Sequence, residues 1–553
     1  MALGTFDRTR SLQELADTQF DVLVIGGGIT GAGVALDAAS RGLRTALVER
    51  DDFASGTSSK SSKLVHGGLR YLQNGDVRLV YEALRERQRL RHNAPHLVRL
   101  LPFLIPIFSK DGLINAKVAR ALGSAMWMYD LTGGARIGKL HKRLDKAKAV
   151  AHMPTLPEER LAGAYLYYDA AADDARLTLT LARTAALDHG AVLANHTRVV
   201  ELRHEHGQAT GAVVEADGQR IEVRARAVVN AAGVWSDAVR ELDEGGDPDS
   251  IRPAKGIHIT VPWHKIRNDI AVVVPVPKDK RSVFVVPWLP TDDGGFELTY
   301  IGTTDTDYDG PIDDPQCTAD DVAYLLKAIN FSVREPLSEA DVVGTWAGLR
   351  PLVKAATSGR TADLSRRHRV TRSTSGVITV TGGKLTTYRE MAEDTVDELV
   401  EHLDGLPRSA RRSRTAKLKV RGAQAVDPTA TGLARHLADR YGAEARVLEA
   451  LIADDPCLRE PLVPGLPYVR AEAVYAARHE MATTVDDVLA RRTRARLQAR
   501  EASARVAADV AALMAPELGW STEETTEQAD AYVALVTAER DAPGLLATGE
   551  VPA

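Results

Sequence analysis

The chain has 553 residues, 44% of them hydrophobic and 26% charged, with a formal net charge of −5. That length holds roughly two to four globular domains, and that charge gives no global attraction to nucleic acid. The two cysteines, Cys317 and Cys457, stand far apart and outside any CxxC pair. They form neither a disulfide framework nor a zinc site, and they point to a reducing compartment.

The opening MALGTFDRTRSLQELADTQF has no apolar run of the kind a secretory signal needs, so none is expected. DVLVIGGGITGAGVALDAASRGLRTALVER, from Asp21, then reads as strand, glycine turn, helix and second strand. Val22 to Ile25 is a short apolar run, as a buried parallel strand requires. Gly26, Gly28 and Gly31 match GxGxxG, with Gly27, Ile29 and Thr30 between them. In that pattern the first glycine permits a tight turn, the second lets a pyrophosphate approach the backbone, and the third allows close helix–strand packing. Glu49 ends the second strand at the position of an acid that accepts hydrogen bonds from an adenosine ribose. These signals specify a dinucleotide site and leave open which dinucleotide it takes.

SSKSSKLVHGGLRYL, from Ser59, gathers cationic and hydrogen-bonding side chains around a Gly-Gly pair, which is a poor start for a core helix. VRLVYEALRERQRLRHNAPHL, from Val77, reads as helix. LVRLLPFLIPIF, from Leu97, is the greasiest stretch, but Arg99, Pro102 and Pro106 break it and it is too short to span a bilayer. NAKVARALGSAMWMYDL, from Asn115, fits either an interfacial helix or, more commonly, a core stripe. TRVVEL, from Thr197, and QRIEVRARAVVNAAGVWSD, from Gln219, return to strand. In the latter, the run Asn230 to Trp235 supplies small residues, Ala231 and Gly233 among them, where a backbone can approach a pyrophosphate.

HITVPW, AVVVPVP, SVFVVPWLP and FELTYIGTTDTD follow as strands of an antiparallel sheet inserted between parts of the nucleotide domain. GTWAGLRPL holds Arg350 between Leu349 and Pro351 after Gly348, a restricted backbone suited to an anion clamp. VITVTGGKLTTYREMAEDTVDELV, from Val377, again gives strand, Gly-Gly turn and helix. Its amides near Gly383, Lys384, Leu385 and Thr386 can face developing negative charge, with Thr386 and Thr387 as helix-start partners. RSARRSRTAKLKV, from Arg408, reads as a linker, and the chain is mainly helical and alanine-rich beyond it. VLARRTRARLQAR, from Val488, suits lipid head groups, a solvated face or a dimer contact.

The segments GGGITGAG, SSKLVHGGLRYL, NAAGVWSD, GTWAGLRPL and TGGKLTTYREMAEDTVD stand in the order seen in FAD-dependent glycerol-3-phosphate dehydrogenases. The chain resembles that family from about Asp21 to about Arg500, and EAVYAARHEMATTVDDVLARRTR resembles its helical C-terminal domain. The resemblance implies an α/β fold of the glycine/D-amino-acid oxidase-like kind. A Rossmann-like FAD-binding domain would carry an inserted antiparallel β-sheet substrate domain, with an all-α domain after it. The expected domain boundary lies near residue 410, with FAD-binding segments at about 18–100, 150–250 and 340–405 and substrate segments at about 100–150 and 250–340.

It further implies FAD as cofactor, oxidation of sn-glycerol 3-phosphate to dihydroxyacetone phosphate, and a membrane quinone as electron acceptor. A homodimer, peripheral on the inner face of the cytoplasmic membrane, is the expected setting. By resemblance Ser61, Ser62, Lys63 and His66 fall on the flavin side and Val199 beside the adenine. Arg70 and Tyr71 reach the substrate, and His258, Arg350 and Lys384 act in catalysis and substrate binding, with no metal. His258 can accept a proton at neutral pH, where an ordinary imidazole titrates near 6.5. His368 and His479 read as structural. A glycerol-3-phosphate oxidase, a 2-hydroxy-acid flavin dehydrogenase and a non-catalytic flavin redox sensor or scaffold are the alternatives.

Overall fold

The computed structural model describes residues 6–68, 77–108, 123, 126–130, 138–246, 248–277, 281–354, 367–424, 427 and 429–542. Arg70 and Tyr71 lie outside them.

The glycine-turn unit folds into a six-stranded sheet ordered Arg369–Arg372, Ile378–Thr381, Val228–Asn230, Val22–Ile25, Thr45–Val48 and Val192–Ala194. All neighbours run parallel except the first pair. Its short apolar strands are buried on both faces, as a covered parallel sheet requires. Val22, Val24 and Leu47 pack with the helices Ile29–Ser40, Asp174–His189 and Tyr388–Glu401. Leu23, Ile25, Ala46 and Val48 pack on the opposite side against a four-stranded sheet that includes Arg198–Glu205, Gln208–Ala216 and Gln219–Ala225.

A larger sheet stands beside this layer, ordered Thr306–Asp307, Ile251–Pro262, Phe296–Gly302, Ser282–Pro290, Ala271–Pro275, Val98–Phe108, Leu161–Ala172 and Leu64–Val65 along its main path. Its neighbours are antiparallel apart from Ala271–Pro275 with Val98–Phe108. Three of its strands fall outside the ranges expected for the inserted sheet: Leu64–Val65, Leu161–Ala172 and Gly344–Val353. Leu161–Ala172 pairs along Val98–Phe108, and Gly344–Val353 pairs along Ile251–Thr260 with His258 opposite Trp346. Glycine and proline in GTWAGLRPLV mimic a turn, but the partner that makes it a strand lies about ninety residues upstream.

Beyond residue 430 the chain is a helical unit whose core gathers Leu462, Tyr468, Val488, Leu489, Val510, Met514, Tyr532 and Val536. Its VLARRTRARLQAR segment is neither a lipid-facing nor a solvated face. Arg492, Arg494 and Arg500 are each 1% exposed, because carboxylates from distant parts of the chain receive the first two. In the segment expected as interfacial or core helix, Met126 and Tyr129 are buried while Trp127 and Met128 are exposed. No helix among the described residues is long and apolar enough to cross a membrane.

Candidate active site

A cavity of about 1320 Å³ runs from the glycine turn of the parallel sheet to the face of the larger sheet. At the first end, Gly31 explains its own identity: a Cβ there would overlap the Gly26 carbonyl oxygen, closing the helix–strand contact. Gly26 has φ +110°, and a Cβ on it would stand 2.7 Å from the Ala231 carbonyl oxygen. The buried helix start at Ile29 is tied by its N–H to Ser58 Oγ at 2.8 Å. Ser58 was not singled out from sequence, because its partner lies 29 residues away with no local pattern.

The Glu49 carboxylate accepts the Gly27 N–H at 2.6 Å and the Asp51 N–H at 2.9 Å. Burial raises its pKa, and those two amides act against the shift. Gly26, Gly28, Ile29, Thr30, Glu49, Val199, Ala231, Gly233 and Trp235 all line this end. Gly27 and Gly31 stand behind the lining. Arg50 lies 4.8 Å over the Trp235 ring at the rim.

Toward the other end the lining takes in Ser61, Ser62, His66, His258, Arg350, Gly383, Lys384, Leu385 and Thr386. The His66 N–H donates to Thr386 Oγ1 at 3.1 Å, linking two motifs 320 residues apart. Burial pushes the His66 imidazole down to about 4, and Lys384 and Arg87 push the same way against Asp169. Lys384 caps the turn that follows Gly382 and Gly383, both in left-handed backbone at φ +74° and +77°.

His258 is 2% exposed. Its Nε2 shares a 2.9 Å hydrogen bond with Ser62 Oγ, and its ring stacks on Trp346 with centroids 4.6 Å apart and planes within 8°. Nδ1 is buried with no hydrogen-bond partner among the described residues. Burial first, then Lys63 and Arg350, hold its pKa well below the ordinary imidazole value, so the ring is neutral at neutral pH.

Arg350 extends across the strand partner it faces. A Cβ on Gly256 would meet Arg350 Nη2 at 2.5 Å and Thr303 Oγ1 at 2.6 Å, so the glycine makes room for the guanidinium. Nη2 donates to Thr303 Oγ1 at 3.1 Å and to the Thr304 carbonyl at 3.0 Å, while Nη1 stands 3.4 Å from the Asp305 carboxylate.

Lys63 does not reach the cavity. Its backbone is left-handed, φ +56°, and its side chain is buried. There Nζ donates to the Ser59 carbonyl at 3.2 Å and to Asp174 at 3.3 Å, and lies 4.7 Å over the Trp346 ring. Tyr167, Arg281 and Phe284 also line the cavity and went unnoticed in the sequence. Only strand alternation, which places Phe284 and Val286 on one face, offered a signal for any of them.

The residues at the first end fit FAD. The glycine cradle leaves space where side chains would fill it, the capped helix start offers amides to a pyrophosphate, and the volume exceeds what a nucleotide alone occupies. Residues 21–389 match the family model described as FAD dependent oxidoreductase, and residues 409–525 match the C-terminal domain of alpha-glycerophosphate oxidase. Glycerol-3-phosphate dehydrogenase 2 of Mycobacterium tuberculosis is 40% identical over 97% of this chain and 92% of its own.

The chain belongs to the FAD-dependent glycerol-3-phosphate dehydrogenases.

The mouse mitochondrial glycerol-3-phosphate dehydrogenase is 38% identical over 94% of this chain and 74% of its own. Among solved structures, the glycerol-3-phosphate dehydrogenase from Bacillus halodurans, complexed with FAD, superposes with a TM-score of 0.75 at 30% identity. That match covers 98% of this chain and 99% of the other. Membership of this family makes FAD the cofactor, in accord with the glycine cradle.

Proposed function

We propose that the cavity oxidises sn-glycerol 3-phosphate to dihydroxyacetone phosphate and that the electrons go on to a membrane quinone. The observation that carries the substrate assignment is the Arg350 guanidinium, held over Gly256 in the same cavity as His258 and Lys384. A planar fork beside a lysine suits a phosphate dianion, the fork pairing two oxygens and the ammonium adding a point charge. Held at the Gly26–Gly31 cradle, FAD would supply the hydride-accepting chemistry for the substrate's secondary carbon.

The chain's own residues then have three tasks. Arg350 and Lys384 bind and orient the anion. The walls formed by Phe284, Tyr167 and the Ser61–Ser62 segment exclude water. His258 receives the hydroxyl proton. Its imidazole resists protonation because it is buried, and then because Lys63 and Arg350 add positive charge around it. A phosphate dianion against Arg350 offsets that field, so substrate entry itself makes the ring more basic. Arg70 and Tyr71 are further substrate contacts in this reading, and Lys63 supports His258 from below.

Peripheral attachment to the inner face of the cytoplasmic membrane, as a homodimer, belongs to the same proposal. It is supported by the family resemblance and by three large apolar side chains near one another in sequence: Trp127, Met128 and Leu140 are 59%, 40% and 50% exposed.

The test is acceptor choice. The flavin is first bleached by sn-glycerol 3-phosphate without oxygen. It should then recolour rapidly with a quinone in lipid nanodiscs and slowly with air. Recolouring in air at the quinone's rate, with hydrogen peroxide formed, would make the protein an oxidase.

A further inference from the structure

The buried arginines Arg492 and Arg494 belong to the C-terminal domain and reach carboxylates behind the flavin site. Arg494 is 1% exposed and does not line the cavity. Its Nε and Nη2 donate to Asp173 at 3.0 and 2.8 Å, Nη2 also reaches Asp174, and Nη1 stands 3.5 Å from the Ser59 carbonyl.

Asp174 then passes this contact to the cavity wall. Its second oxygen accepts the Ser61 N–H at 3.0 Å and the Ser61 hydroxyl at 2.7 Å, and its first accepts Lys63 Nζ. The Ser61 carbonyl accepts the Trp346 indole N–H at 3.3 Å, and the Ser62 carbonyl accepts the Tyr300 hydroxyl at 2.9 Å. Ser62 Oγ ends the chain on His258 Nε2. Every link is a hydrogen bond between buried or half-buried groups, where a fork fixes orientation as well as charge.

A second anchor acts at the nucleotide end. Arg491 Nε donates to Asp52 at 2.6 Å, and Arg492 grips both oxygens of the same carboxylate at 2.5 and 2.8 Å. Asp52 follows the Glu49–Asp51 bend that lines the cavity. These guanidiniums also account for Asp52, His196 and Asp487. The three could gather a metal ion by spacing alone, but Arg491 and Arg492 already occupy both carboxylates.

We propose that Arg494 is a positioning residue: through Asp174 it fixes the Ser61–Ser62 wall of the flavin site, and the helical C-terminal domain is thereby part of the cofactor-binding apparatus. This rests on the assignment of the cavity as the flavin site, and it holds whichever substrate reduces the flavin.

The test measures the FAD dissociation constant and the visible circular dichroism of bound FAD in the full chain. Arg494→Gln should weaken FAD at least tenfold and change the dichroic band, and Arg494→Lys, which keeps the charge but loses the fork, should weaken it at least threefold. Arg183→Gln is the control for lost stability, because Arg183 joins the same two domains through Glu444 away from the cavity. It should lower the thermal midpoint to a similar degree with FAD affinity within twofold. Where Arg494→Gln does not fold, Arg494→Lys decides. The proposal is overturned by FAD affinity and dichroism equal to wild type in the folded Arg494 variants, or by an equal loss of affinity in Arg183→Gln. Because neither readout uses glycerol 3-phosphate, a wrong substrate assignment would leave this result standing.

Discussion

Gly256→Ala isolates the position of the Arg350 guanidinium from its charge. The new methyl would lie 2.5 Å from Nη2 and 2.7 Å from Nη1, where ordinary contact begins near 3.4 Å. The guanidinium must therefore retreat by about 1 Å, giving up its bonds to Thr303 and Thr304 at 3.1 and 3.0 Å. Misplacing a clamp by that distance costs about a hundredfold in rate, or about 2.7 kcal/mol of transition-state stabilisation. Gly256 lies within a regular strand and has no positive φ, so alanine itself fits the backbone. The glycine cradle for FAD is at the other end of the cavity, so FAD content should stay at the wild-type level. The assay is steady-state kcat/KM for glycerol 3-phosphate on FAD-loaded protein, with the visible spectrum recorded alongside. A kcat/KM within twofold of wild type would refute the placement of Arg350 as the substrate clamp.

Gly31→Ala acts at the opposite end. Its Cβ would overlap the rigid Gly26 carbonyl, so the helix must part from the strand and FAD affinity should fall roughly a hundredfold by equilibrium dialysis. A pH prediction follows from His96, which is buried, has no partner for Nδ1 among the described residues, and whose pKa burial lowers to about 4. Between about 4 and the ordinary 6.5 the unfolded chain holds a proton that the folded one refuses, so stability falls as pH drops through that window. From pH 7.5 to 5.5 this single site should remove about 1.4 kcal/mol. The loss seen in urea denaturation should shrink by that amount in His96→Asn, and an unchanged loss would show that His96 is not buried as a neutral ring.

The sequence made some of this architecture legible because the relevant partners are local. Gly26, Gly28, Gly31 and Glu49 sit within one strand–turn–helix–strand unit, where the Gly26 carbonyl requires Gly31 and the Glu49 carboxylate accepts the Gly27 N–H. Where partners are distant, local pattern misleads. GTWAGLRPLV carries turn residues and becomes a strand through a remote partner. Lys63 sits among flavin-side residues, yet its backbone dihedral sends it to Asp174. The arginine-rich run from Val488 has the composition of a surface. It is interior because Asp52, Asp173 and Asp174, more than three hundred residues upstream, converge on it. A basic run does not state where its counter-charges are, and here they decided both its burial and its role.

In the proposed reaction the cavity passes hydride from glycerol 3-phosphate to FAD. It is tested most directly by adding sn-glycerol 3-phosphate anaerobically to the purified, FAD-loaded protein and following the flavin band near about 450 nm. This compound should bleach the band rapidly, while its sn-1 enantiomer, lactate and glycerate should leave it unchanged. A band that stays yellow with glycerol 3-phosphate, or bleaches with a 2-hydroxy acid instead, would contradict it.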